Sequence, residues 1–164
     1  MVMASYWGGR VLTLGGALLA IVAFFCPWFD VYKLNDPSYV FPRRGYSPWM
    51  VIQSGQRDML GLAAWLFALL IVTMALRSLE YALARTPRRR ERAWMLTVVL
   101  ALVGLVVFGL ALAMISFDLS FFPPFLDHEV VYGAYLTQTG LLCVLGGLAL
   151  GSATRPPAHQ ATPG

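Results

Sequence analysis

The stretch AWMLTVVLALVGLVVFGLALAMISF, residues 93–117, runs for 25 residues without a charged side chain. As an α-helix rising 1.5 Å per residue it is about 38 Å long, more than the roughly 30 Å hydrocarbon core of a bilayer. It is apolar on every face, which marks a helix with no aqueous side. Three further charge-free runs occupy residues 11–29, 59–76 and 130–154, of 19, 18 and 25 residues. The four runs hold 87 residues and no formal charge. The chain-average 12% charged would place about ten there, and an ionised group at mid-bilayer costs about 2.5–3.5 kcal/mol, so the segregation has a physical cause. Hydrophobic residues are 59% of the 164, and the charged share is about half that of a soluble domain. The sequence predicts an all-α integral membrane protein with four transmembrane helices over about 11–29, 59–76, 93–117 and 130–152. Residues 1–154 are expected to form one domain, and 155–164, within a stretch 152–164 rich in Pro, Ala, Thr and Gly, a flexible cytoplasmic tail.

Each run has a basic residue at one end and an acidic one at the other: Arg10/Asp30, Asp58/Arg77, Arg92/Asp118 and Glu129/Arg155. Placing the basic ends together gathers Arg10, Arg77, Arg85, Arg88, Arg89, Arg90, Arg92 and Arg155 on one side, which the positive-inside rule makes the cytoplasm. Both termini are then inside, and an up-down-up-down bundle is the economical fold. The expected location is a bacterial inner membrane, since only Lys33 among the twelve basic residues is lysine, a bias of GC-rich bacterial genes. The pI near 9.4 follows from this topology and gives no reason to expect nucleic-acid binding. The first run has a basic flank but is longer than a signal-peptide core. Its end, Phe24-Phe25-Cys26-Pro27-Trp28, lacks a small-x-small cleavage pattern, so the helix is expected to be retained.

Between the spans, the outer loop over residues 30–58 is the longest, at 29 residues. Its runs Tyr39-Val40-Phe41 and Trp49-Met50-Val51-Ile52 are β-prone and flank Pro42-Arg43-Arg44-Gly45, a pattern for a small hairpin or lid. Trp28 and Tyr32 are expected at the outer headgroup level, with Tyr6 and Trp7 as the inner anchor. The inner run Arg85-Thr86-Pro87-Arg88-Arg89-Arg90-Glu91-Arg92 turns the chain back, its arginines suited to anionic lipid headgroups or an acidic partner. The second outer loop carries Phe121, Phe122, Pro123, Pro124 and Phe125. Two consecutive prolines forbid a continuous helix there, so these rings and Trp49 are candidates for contact with a partner or with the interface.

Helices in a bilayer associate through close packing, which favours small residues. Gly147 and Gly151 make a GxxxG pair, Gly16 and Ala20 a small-xxx-small pair, Ala64 and Ala68 another, and Gly104 stands seven before Ala111. Chemistry at depth needs ionisable groups, and the four runs hold none beyond the amide Gln138 and hydroxyls such as Thr13, Thr73, Thr97, Thr137 and Thr139. That counts against coupled ion transport. The histidines, His128 and His159, lie outside helix interiors, which counts against a membrane haem protein. Cys26 and Cys143 are single and in different helices, against thiol enzymes and against claudin-like or tetraspanin-like proteins with outer-loop disulfides. Asp127-His128-Glu129 reads as the polar start of the last helix, with Asp127 as its N-cap, since three consecutive residues cannot point one way to a metal. No cofactor, metal or catalytic residue is expected. The reading is a non-catalytic accessory or assembly subunit of a larger bacterial membrane complex of respiratory or photosynthetic electron-transport type, with other integral membrane subunits as partners. The alternative is a self-contained lipid- or small-hydrophobe-binding protein or passive channel.

Overall fold

The computed structural model describes residues 2–33, 44–55, 59–116 and 126–153. In chain order they form α1 (Val2–Phe25), β1 (Phe29–Lys33), β2 (Arg44–Tyr46), α2 (Pro48–Gln53), α3 (Met59–Leu83), α4 (Pro87–Ser116), β3 (Leu126–Val130) and α5 (Tyr132–Ala153). Four helices contain stretches long and apolar enough to cross a membrane: Trp7–Phe25, Gly61–Leu83, Pro87–Ala113 and Tyr132–Ser152. Four such helices make this a multi-pass membrane protein.

The most extensive packing is between α1 and α5. It rests on glycine, because only a residue without Cβ lets two helix backbones meet. A Cβ at Gly9 would lie 2.7 Å from the Gly147 carbonyl oxygen, and one at Gly16 would lie 2.6 Å from that of Gly140. These contacts run in opposite directions along the two chains, so α1 and α5 are antiparallel. Ala17 and Ala20 are fully buried on the same stripe, with Leu141, Val144 and Leu148 opposite. Helices α3 and α4 pack on each other and on this pair, burying Phe67, Ile71, Met74, Ala101 and Phe108. Gly104 of α4 takes the side chains of Leu70 and Leu141, and Trp94 Nε1 donates 3.1 Å to the Leu148 carbonyl, which ties α4 to α5.

The described residues are mostly helical, as the all-α reading expects, but beside the helices they hold a three-stranded antiparallel sheet of order β2-β1-β3 that this reading did not place. Helix α1 ends at Phe25 rather than Phe29, because Pro27 lacks an N–H and biases Cys26 away from helical dihedrals. The chain continues extended, and its freed carbonyls pair across to the segment before α5: Val131 N donates to Trp28 O and Gly133 N to Pro27 O, each at 2.9 Å. The pairing runs on from Phe29↔Val130 through Asp30↔Glu129, Val31↔His128 and Tyr32↔Asp127 to Lys33↔Leu126. Asp127 therefore lies within a strand and does not cap the last helix. The charged triplet marks the end of the apolar run, but the β-branched pair Val130-Val131 and the open carbonyls of Pro27 and Trp28 just past α1 favour a strand. On the other edge, Phe29↔Tyr46 and Val31↔Arg44 pair β1 with β2.

Residues 49–52, expected to be extended, form the short helix α2. Ser47 accepts 3.2 Å from Met50 N, and Pro48 at the first helical position is preset for the turn. Ser54 and Gly55, with φ +69°, end it. At the α3–α4 connection, Pro87 is the first residue of α4 rather than part of a turn over 85–92, so residues 84–86 alone join the two helices. Pro stops one helix and starts the next for the same reason, a fixed φ and no N–H to satisfy. The N-terminal residues 2–10, read as a short flank, are helical and continuous with the first span. Tyr39, Val40, Phe41 and the tail 155–164 lie outside the described residues, as do Phe121, Phe122, Pro123, Pro124 and Phe125.

Candidate functional site

The sheet end of the bundle is organised by Trp28. Expected as a headgroup anchor, it is instead buried, 6% exposed, because the extended chain after Pro27 folds the indole back over the helices. Its ring meets Phe67 of α3 at 5.1 Å and Phe108 of α4 at 5.3 Å, both edge-to-face. Its Nε1 donates 3.0 Å to the Ala23 carbonyl, which also accepts 3.1 Å from Cys26 N in the tightened last turn of α1. The burial of a polar ring atom is thereby satisfied at the helix C-terminus.

Beside these rings lies a cavity of about 80 Å³, lined by Trp28, Phe29, Pro48, Val51, Ala63, Ala64, Phe67, Val107, Phe108 and Ala111. Alanines at 63, 64 and 111 supply the space that larger side chains would fill. Among the described residues its lining offers no free donor or acceptor side chain. Helix α2 closes it from the sheet side through Pro48 and Val51, both buried. On the outer face of α2, Trp49 is half-exposed with its ring 5.4 Å from Phe25, and Met50 is exposed beside it.

The opposite end carries the basic cluster, which the structure divides into two roles. Arg89 Nε lies 3.4 Å from Glu80 Oε1, while Arg77 donates 2.6 Å to Glu80 Oε2. Arg90 donates 3.0 Å to the Ala84 carbonyl at the end of α3. Arg89 and Arg90 thus hold the hairpin closed, an exposed pair such as Arg89–Glu80 being worth about 0.2–1 kcal/mol. Arg85 and Arg89 line a shallow recess of about 370 Å³ with Glu80, Leu83, Ala84 and Thr86, and Arg88 and Arg92 are exposed further along α4. Arg10 is buried at this end, its guanidinium 5.4 Å from the Trp7 ring, whose other side is exposed.

Between the ends, the buried hydroxyls serve their own helices. Thr13, Thr97 and Thr137, each fully buried, donate to the carbonyls of Gly9, Ala93 and Gly133, four residues back, at 2.7–2.9 Å. Ser78 Oγ is fully buried without a hydrogen-bond partner among the described residues. Cys26 and Cys143 are free thiols. Among the described residues no three His, Cys, Asp or Glu side chains gather as metal ligands.

Of the residues singled out from sequence, Gly16, Ala20, Gly147 and Gly151 meet in the α1–α5 seam, Gly151 against the Tyr81 hydroxyl, and Gly104 sits where α4 crosses α3 and α5. Phe67 and Phe108 were not among them, and Trp28 was expected only as a headgroup anchor. The signal for Trp28 was Pro27, which fixes where the helix stops and so where the indole is thrown. Comparison with protein families, with curated proteins and with solved structures returned no match.

Proposed function

We propose that this chain is a non-catalytic accessory or assembly subunit of a larger bacterial membrane complex, of respiratory or photosynthetic electron-transport type. In this reading it is an up-down-up-down bundle with both termini in the cytoplasm of the bacterial cell and the sheet and α2 outside the inner membrane. The supporting observation is that the threonines buried between the helices are committed to their own backbones. Hydroxyls held in this way brace a scaffold and offer little to a substrate, so the chain acts through its surfaces. Orientation is argued from charge: Arg85, Arg88 and Arg92 stand exposed at one end, where anionic headgroups or an acidic partner would meet them. At the other end Trp49 and Met50 present apolar area beyond the spans, and Phe121, Phe122, Pro123, Pro124 and Phe125, outside the described residues, stay partner-contact candidates on sequence grounds. Other integral membrane subunits are the partners this surface suits.

Mild detergent extraction of native membranes, followed by native electrophoresis and mass spectrometry, tests the reading. A stoichiometric complex with the same companions in every preparation is expected. Migration alone, at monomer or homodimer mass, would sink it.

A second reading, a self-contained protein that binds a lipid or small hydrophobe, is favoured by the aromatic-walled cavity under α2. The two readings part on purification: a protein of this second kind keeps its bound hydrophobe when isolated without companions.

A further inference from the structure

We propose that the cavity beside Trp28 holds a segment of one hydrocarbon chain belonging to a lipid of the adjacent leaflet. The proposal rests on the membrane-spanning reading of the four helices and deepens the second reading above by naming the ligand class.

Depth is the first argument. Ala63 and Phe67 stand four and eight residues into α3, which starts at Met59, and Ala111 and Phe108 stand five and eight before the end of α4 at Ser116. At 1.5 Å per residue the cavity lies about 6–12 Å inside the helix ends, the level of acyl chains rather than of headgroups. The second argument is the mouth. Trp28, Val51, Phe67 and Phe108 are buried, whereas Ala63 is exposed and Val107 and Ala111 are half-buried. The opening therefore lies between α3 and α4, flanked by the exposed Leu62, Leu66, Val106 and Leu110, side chains that in a membrane touch lipid.

Chemistry selects the occupant. The Trp28 indole N–H, the polar side-chain group in the lining, is already donated to Ala23. Water would find no partner and a headgroup no anchor, while a methylene chain loses nothing on entry and fills contacts that an empty void forfeits. The cavity, about 80 Å³, is roughly half the 150 Å³ known to admit benzene, so it takes a few carbons of a chain whose remainder lies along the α3–α4 surface.

The test uses full-length protein reconstituted into phosphatidylcholine vesicles whose acyl chains carry bromine, a contact quencher of tryptophan fluorescence. Two chains are compared, each retaining a single tryptophan: Trp28, which is buried, or Trp65, which is exposed on α3. Quenching of Trp28 comparable to that of Trp65 is expected despite its burial. Filling the cavity by Ala64→Leu, or independently by Ala111→Leu, should cut Trp28 quenching by about half or more as contact within ~4 Å is lost, with Trp65 unchanged. Trp65 quenched and Trp28 not would show a cavity that is empty or filled by protein, and overturns the proposal. Trp28 quenching untouched by either filling variant would mean that bromine arrives by another route, and overturns it too. If neither tryptophan is quenched, the membrane reading falls and the proposal with it.

Discussion

Gly16 of α1 and Gly140 of α5 face one another backbone to backbone: a Cβ on the first would stand 2.6 Å from the other's carbonyl oxygen, and on the second 2.8 Å. Both obstacles are main chain, which cannot swing aside as a side chain can. Gly140→Val should therefore force the helices apart and lower stability by about 1–3 kcal/mol or more. Gly15→Ala, one residue away but with nothing within 4 Å of its added Cβ, should be neutral or stabilise by up to about 1 kcal/mol. Thermal unfolding in detergent measures both, and equal losses for the two variants would contradict the seam.

Ser47 caps α2, and α2 roofs the cavity. Ser47→Ala removes the acceptor for Met50 N and should cost about 1 kcal/mol. The loss is local, so amide hydrogen exchange at Met50 and Val51 should quicken while exchange in the middle of α5 holds. Uniform acceleration along the chain would mean that α2 is not a separate unit.

The reach of the sequence can be judged from these elements. The spans were legible because water's absence leaves a mark on every residue in them, and the seam glycines because close approach demands a missing Cβ. The sheet was not legible. β1 and β3 are each five residues long and stand far apart in the chain, and neither has a reason to extend except the other. Asp127-His128-Glu129 looked like a helix start because charge marks the edge of an apolar run without saying what lies at that edge. Helix α2 was signalled by Ser47-Pro48, a cap followed by a first-turn proline, and was missed because Val51 and Ile52 carry β propensity, the weaker indicator in so short a segment. The cavity depends on Trp28 folding back across three helices, a relation between distant residues that no local pattern encodes.

Ser78 sits fully buried on α3 with its hydroxyl unpaired among the described residues, an arrangement that costs free energy. Ser78→Ala should leave stability unchanged or raise it by about 1 kcal/mol. Thr97→Ala, which deletes a buried methyl as well as a satisfied hydroxyl, should lower it. The comparison is read from paired melting curves. A destabilised Ser78→Ala would show that this hydroxyl serves a function in the membrane-embedded protein.

The proposed topology puts the sheet with α2 and the arginine-rich start of α4 on opposite sides of a bilayer, the arginines inside. In a chain freed of Cys26 and Cys143, single cysteines at Ser54, exposed at the end of α2, and at Arg88, exposed at the start of α4, report on the two sides. A membrane-impermeant maleimide applied to intact cells should label Ser54→Cys at once and Arg88→Cys only after the membrane is opened. Labelling of both from the same side, or of Arg88→Cys alone in intact cells, would contradict the account.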